Sequence, residues 1–506
     1  INDNRGYFNF RNNRVYHRAN YCVFIYLNLV VVLTRIDSHM AKHIDNLKKL
    51  VGDSNALDRE EDIHPFLEDW RGHIKGSTPL ILFPNNSDDV QNIVHYCYQN
   101  DIKIVSQGGN TSLCGANVPN SSDHRLEIVI NTSKMNRVIE VDSFNQSIIV
   151  ESGCILQNIQ ETAEDHGLLF PLSLSAEGTC QIGGNVSTNA GGVNVLKYGM
   201  ARDQVMGIEA VLPDGSIFTD LKSLRKNNTG YDLKQLFIGA EGTLGVITKV
   251  SLRLSSSPQR EISSMVSLES VDDAINLLKE TKKRFGDNVT AFEFISQSCL
   301  VAINDFLSHI KLPLGHEDSW QVIFEIINHS EDDLSEFLEK QLSEDLIKNA
   351  LIAKNEKDRN DFWLVRHSIS EAEKLSGRGV HHDISLPITK IPEFLKTTIP
   401  AMEKVAGKSI VYTFGHLGDG NLHFTKKQPE DMDGDQFMRF SKEINAVVHE
   451  NAEFLGGSFS AEHGIGSKLK DDLIKYSDPT KVDLMKKIKK TLDPKNIMNP
   501  DKLIDI

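Results

Sequence analysis

Cysteine is scarce in this chain of 506 residues. There are six, Cys22, Cys97, Cys114, Cys154, Cys180 and Cys299, and no two form a C-x-x-C pair. That argues against a thiolate zinc site and against a protein-bound iron–sulfur cluster. Scattered single thiols fit a reducing compartment. Positive charge is also in deficit: 55 Lys and Arg face 70 Asp and Glu, a formal net charge of −15. Nucleic-acid binding through clustered cations is therefore not expected. No apolar run reaches the ~20 residues a membrane-spanning helix needs. The strongest, residues 21–34, falls in a first stretch of 39 residues that differs in texture from the rest. Residues 1–39 are read as an extension outside the fold, disordered, with the working protein starting at Met40. No G-x-G-x-x-G joins a strand to a helix, so a Rossmann nicotinamide site is not expected. Solenoid repeats and low-complexity tracts are absent too.

What is present is glycine in clusters. A strand over 102–106 runs into Gln107-Gly108-Gly109-Asn110-Thr111-Ser112-Leu113. A second cluster covers 182–192 and a third 238–247. Glycines let backbone approach a ligand, and successive N–H groups can cradle phosphate. One such loop reads as a turn. Three in one region of strands and short helices read as a site for an extended cofactor. Strands are expected at 126–131, 138–142 and 147–151, and helices at 90–99 and 156–166. Ser255-Ser256-Ser257-Pro258 marks a boundary. Beyond it, strands at 290–295 and 320–327 alternate with helices at 267–285 and 331–346, the pattern of an α+β substrate or cap domain. A further helix begins at Trp363, and a strand covers 380–387.

Histidine is concentrated near the C-terminal end. His416 and His423 lie seven positions apart on a glycine-rich stretch read as a loop, and Glu462 and His463 follow. Two imidazoles and a carboxylate suit zinc or another first-row divalent metal with positions left open. Adjacent side chains diverge, so His463 is read as a general base beside the metal rather than as a ligand.

The segments PLSLSAEGTCQIGGNVSTNAGG and FIGAEGTLGVIT resemble flavoproteins whose FAD domain is named after vanillyl-alcohol oxidase and para-cresol methylhydroxylase (PCMH). Among these the chain is most similar, from Pro79 to its end, to FAD-linked D-2-hydroxy acid dehydrogenases of the D-2-hydroxyglutarate, D-lactate and glycolate type. The resemblance implies an α+β architecture. A two-subdomain PCMH-type FAD domain would span 40–257 and a substrate (cap) domain 258–459. Residues 460–506 would return to the FAD domain. FAD would be non-covalent, since no His falls in the glycine loops and Cys114 and Cys180 read as packing residues. Gly108, Gly109, Asn110, Thr111, Ser112 and Leu113 would hold its pyrophosphate. Ser175, Ala176, Glu177, Gly178, Gly183, Gly184, Asn185, Thr188, Asn189, Ala190 and Gly191 would line the ribityl chain and isoalloxazine. Glu241, Gly242 and Ile247 would face the adenine side, with Asn499 near the flavin.

The same resemblance implies zinc at His416, His423 and Glu462, and a substrate carboxylate on Arg366 with Ser370 assisting. The reaction implied is oxidation of a D-2-hydroxy acid to the 2-oxo acid. The metal polarises the C2 hydroxyl, His463 takes its proton, and hydride passes to flavin N5. Many D-2-hydroxyglutarate enzymes carry Lys where this chain has His381 and Asn where it has Thr425, both near substrate. A D-lactate-like substrate is therefore also open. Electron-transfer flavoprotein or quinone would accept the electrons; an oxidase using oxygen is the alternative. A metal-dependent hydrolase and a non-catalytic flavin-binding protein are the rivals from other classes. A bacterial-type cytoplasmic or a mitochondrial-matrix location and a homodimer are compatible with these features.

Overall fold

The computed structural model describes residues 40–318 and 320–506. The stretch 1–39, with its apolar run, lies outside the described residues. After a first helix over 40–51, a four-stranded sheet forms in the order Ala56–Leu57, Ile81–Leu82, Glu127–Asn131, Lys103–Gln107. The last three strands run parallel and are buried, as their apolar composition dictates. Helix Ser87–Asn100 covers them with Val90, Ile93, Val94 and Cys97, all on one stripe. Its start is fixed by Asn86, whose side chain accepts the N–H of Asp89. An antiparallel sheet of five strands follows in the order Val138–Asp142, Ser147–Glu151, Val246–Arg253, Val205–Val211, Ile217–Asp220. The glycine-rich segments lie against one another and against both sheets: Gly108 meets Gln181, Gly183 meets Ser152 and Gly242 meets Ser106.

Beyond Ser255–Ser256 the chain builds a seven-stranded antiparallel sheet. Its order is Asn349–Ile352, Glu261–Leu268, Trp320–Ile327, Val289–Ser296, Val411–His416, Asn421–Lys427, Gly379–Ser385. Both faces are covered, so alternate residues enter two different cores. Phe292 and Phe294 pack with helices Val271–Phe285, Glu331–Ser343, Ile391–Ala406 and Ser441–Phe454. Ala291 and Ile295 pack on the other face, with Gln297–Phe306 and Glu356–Leu375. Glu293 stands between them on that second face, fully buried. The C-terminal segment runs back along the first sheet. Ile104 donates its N–H to the Ile497 carbonyl at 2.7 Å, and Asn499 donates to the Ile104 carbonyl at 2.7 Å. Among the described residues no helix is long and apolar enough to cross a membrane.

Three local expectations are corrected. The helix expected from 267 begins at Val271, because Ser267 and Leu268 are still paired with Gln321 and Trp320, and Ser270 is its N-cap. The helix expected from Trp363 begins at Glu356, capped by the Asn355 side chain. The stretch 415–423 is a β-hairpin rather than a loop: His416 ends one strand and His423 lies in the next. Its turn closes on Gly420, φ 89°, where a Cβ would overlap the Leu386 carbonyl.

Candidate active site

Strand register assembles the site. Glu293 pairs with His416, Phe414 with His423, and His423 with Asp383; one step along, Tyr412 pairs with Thr425 and Thr425 with His381. Cross-strand partners share a face, so Glu293, His416, His423, Asp383, Thr425 and His381 all project from the same side of the sheet. Helix Glu356–Leu375 crosses that side and contributes Arg366, Ser370 and Glu373 at helical spacing. Arg366 donates from Nε to Glu293 Oε2 at 2.7 Å, and its guanidinium lies 4.8 Å from the Phe414 ring centre. Neither Nη of Arg366 has a protein acceptor among the described residues, and the side chain lines the adjoining cavity. Glu293 Oε1 sits 2.6 Å from His416 Nδ1. Burial raises the Glu293 carboxyl, but the charges of His416 and Arg366 overcome that and hold it at about 2.

The loop carrying Glu462 and His463 comes from the other side. Its amides are bound by two buried carboxylates. Asp383 Oδ2 accepts from the N–H of Glu462 and of His463, both at 2.9 Å. Glu241, from the N-terminal half, accepts from Ile465 at 2.7 Å and Gly466 at 2.6 Å. Glu462 Oε1 then lies 3.8 Å from His416 Nε2, 3.6 Å from His423 Nε2 and 3.8 Å from His463 Nε2. These distances are too long for hydrogen bonds. They are close to the ~3.3 Å donor separation of a tetrahedron with metal–ligand bonds of ~2.0 Å. The donors therefore fit a divalent cation, with Asp383, His423, Glu462 and His463 within 4.8 Å of one another and His416 adjoining them through Glu462. Burial lowers the His423 imidazole to about 4, the neutral form a metal requires. At His416 burial acts the same way, but the Glu293 and Glu462 carboxylates overcome it and raise the imidazole well above its usual value, so a cation there must displace a proton. His463 was expected to diverge from Glu462; it converges on the same point instead. It is the most open of the three imidazoles, with 25% of its side chain exposed against 15% for His423 and 8% for His416.

A cavity of about 1120 Å³ joins this point to the glycine-rich segments. At Gly184 a Cβ would meet nothing within 4 Å, while at Gly109 it would overlap the Thr179 carbonyl. One glycine opens the cavity and the other allows its wall to close. Among the described residues Asn117 Oδ1 and Asn185 Oδ1, on side chains at the cavity lining, have no hydrogen-bond partner.

The chain is similar to known flavoproteins over both halves. Residues 78–220 match the model of an FAD binding domain, and residues 257–503 match that of FAD linked oxidases, C-terminal domain. A mitochondrial D-2-hydroxyglutarate dehydrogenase of Arabidopsis thaliana is 34% identical over 92% of this chain and 82% of its own. The D-2-hydroxyglutarate dehydrogenase of Stutzerimonas stutzeri is 32% identical over 91% of this chain and 98% of its own. The chain belongs to the FAD-linked D-2-hydroxy acid dehydrogenase family. The enzyme is an FAD-dependent oxidoreductase of the D-2-hydroxyglutarate dehydrogenase type. Its fold is that of the PCMH group: p-cresol methylhydroxylase superposes with a TM-score of 0.72 at 15% identity, covering 92% of this chain and 97% of that one.

In this dehydrogenase the cavity brings most of the expected residues together. Gly108 through Leu113, Ser175, Ala176, Gly183 through Asn185, Thr188, Ala190, Gly191, Glu241 and Ile247 line it, as do Arg366, Ser370, His381, Thr425, His416, His423, Glu462 and His463. Five do not reach it. Glu177 is turned onto Ser173 and Gln160, and Gly178 faces Gln157. Asn189, φ 52°, ends helix Ile182–Thr188 and accepts from the Arg202 amide. Gly242 lies against Ser106, and Asn499 donates to the carbonyls of Ala116 and Glu241. Although Glu241 lines the cavity, its carboxylate is committed to the 465–466 amides. Sequence reading missed Glu293, Asp383, Glu373 and three cavity-lining cations, Arg71, Lys374 and Lys468.

Proposed function

We propose that the enzyme oxidises a dicarboxylic D-2-hydroxy acid of the D-2-hydroxyglutarate class to the 2-oxo acid, with Arg366 holding the C1 carboxylate and His463 as base. The observation that carries this reading is the joint position of the unpaired guanidinium edge of Arg366 and the convergent His416, His423, Glu462 and His463 on one cavity wall. When bound, FAD is a two-electron acceptor for C2, and a divalent cation, for which zinc suits these donors, is a Lewis acid. His416, His423 and Glu462 would hold the cation. Glu293 keeps the Arg366 fork pointed at the cavity and occupies Nδ1 of His416, so that Nε2 faces inward. His463 Nε2 takes the proton of the C2 hydroxyl, and its greater exposure leaves it open to substrate.

His381 alone gives a poor seat for a second carboxylate. Burial lowers its imidazole, so it is neutral at physiological pH, and its Nδ1 lies 3.1 Å from the carboxylate of Glu373. Arg71, Lys374 and Lys468 line the same cavity and make no ion pair with any described residue. They supply the positive field that a distal carboxylate needs. The chain lacks its own iron–sulfur and nicotinamide motifs, so electrons leave to an external acceptor such as an electron-transfer flavoprotein or a quinone. The test is anaerobic mixing with D-2-hydroxyglutarate before chelation, after chelation, and after zinc is restored. Flavin bleaching should be lost and then regained. Bleaching that persists without metal would overturn the cation's part, and no bleaching by any D-2-hydroxy acid would overturn the whole.

A further inference from the structure

We propose that Asp383 is the positioning residue of this site: its carboxylate shapes the loop of Glu462 and His463 and so brings their side chains to one point beside His423, without itself joining the donor set. The inference rests on the reading of the convergent point as the reacting centre.

Asp383 is 7% exposed, in the middle of strand Gly379–Ser385 and directly opposite His423. Asn421 donates from Nδ2 to its Oδ1 at 2.8 Å, and the amides of Glu462 and His463 both donate to its Oδ2 at 2.9 Å. Binding two successive amides to one oxygen curls the backbone around that oxygen. This accounts for adjacent side chains that reach the same point. The two oxygens also face the ring nitrogens that point away from that point. Asp383 Oδ2 is 3.6 Å from His463 Nδ1, and Oδ1 is 3.7 Å from His423 Nδ1. At these distances neither contact is a hydrogen bond, and Glu462 Oε1 faces Nε2 of each ring about as closely, so Asp383 acts on the site through the loop whose amides it binds.

Asp383 also lies close enough to His423, Glu462 and His463 to be a fourth ligand on distance alone. Its bonding speaks otherwise. Three of its roughly four acceptor positions are already taken by protein N–H groups. Turning it toward a cation would release the loop that brings Glu462 and His463 to that cation.

The test uses the FAD-loaded full chain and Asp383→Asn, which keeps the shape and replaces one acceptor by a donor. Three results are expected. Hydrogen exchange over 462–463 quickens. Co²⁺, added to the metal-free protein, binds about 10–100-fold more weakly, the range for losing an outer partner of a ligand, with an unchanged visible band shape. The limiting rate of flavin reduction falls while FAD content holds. Unchanged exchange and Co²⁺ affinity would overturn the proposal, and so would a changed Co²⁺ band, the sign of a lost oxygen ligand. A measurement on the unsubstituted protein needs no variant to fold. The backbone N–H groups of Glu462 and His463 should exchange slowly in the metal-free form, because both donate to Asp383; fast exchange there would overturn the proposal. That readout involves no turnover, so it judges Asp383 even if no hydroxy acid reduces the flavin.

Discussion

Replacing Glu293 by Gln tests the polar centre of the seven-stranded domain. The side chain is fully buried, 2.7 Å from Arg366 Nε and 2.6 Å from His416 Nδ1. Opposite charges about 4 Å apart interact by about 4 kcal/mol at an effective dielectric of 20. Breaking a buried pair from one side costs about 3–5 kcal/mol, because the remaining charge is left without compensation. Glu293→Gln should therefore destabilise this domain by about that amount. Adding Arg366→Met removes the stranded charge, so the double variant should be less destabilised than the sum of the two single changes. Urea unfolding followed by tryptophan fluorescence reads this directly, since Trp320 and Trp363 both belong to the domain. The pH dependence has a definite sign. With the folded carboxyl at about 2 against its usual 4.5, the contribution is complete above about 4.5 and fades as the pH falls toward 2. The two proteins should therefore converge in stability in acid. A cost for Glu293→Gln below about 1 kcal/mol, or strict additivity in the double variant, would refute the reasoning.

His463→Ala should lower the limiting rate of flavin reduction by about 10²–10⁴-fold with FAD still bound, as measured by anaerobic stopped-flow. A near-normal rate would remove His463 from the chemistry. His381→Lys places a permanent cation beside Glu373 and should lower KM for D-2-hydroxyglutarate relative to D-lactate, read from steady-state assays with a dye acceptor. Burial pushes the ammonium of Lys502 down to about 8 from 10.5, so the unfolded chain holds a proton the fold does not between those values. Stability should rise with pH across that window, and Lys502→Met should flatten the rise in a series of thermal melts.

The flavin half was legible because its chemistry is written in consecutive residues. Gly108 to Leu113 and Gly183 to Gly191 are runs of glycine and small polar residues, although the contacts that require Gly109 and Gly183, with Thr179 and Ser152, come from folding. The substrate half was legible only in part. His416, His423 and Glu462 stood out as side-chain types, but strand register sets the two imidazoles on one face, where a single residue's slip would invert them, and the amide bonds to Asp383 and Glu241 bring Glu462 to it. Glu293 alternates with Phe292 and Phe294, a position where a half-exposed strand carries a polar residue, so nothing local marks it as buried. Its partners could not be read, because Arg366 and His416 lie far along the chain. Asp383 was overshadowed by its histidine neighbours. Arg71, Lys374 and Lys468 come from three distant segments, and nothing local distinguishes them from solvated surface charges. Glu241 was expected, by resemblance, at the adenine side of FAD, whereas its carboxylate holds the loop of the other half.

Removal of the C2 hydrogen of a D-2-hydroxy dicarboxylate at this site is read by anaerobic stopped-flow with D-2-hydroxyglutarate carrying deuterium at C2. Rapid flavin bleaching is expected from the D isomer, slowed by the deuterium, and none from the L isomer. Equal bleaching by both isomers, or reduction by the D isomer with no deuterium effect even when the chemical step is isolated, would contradict it.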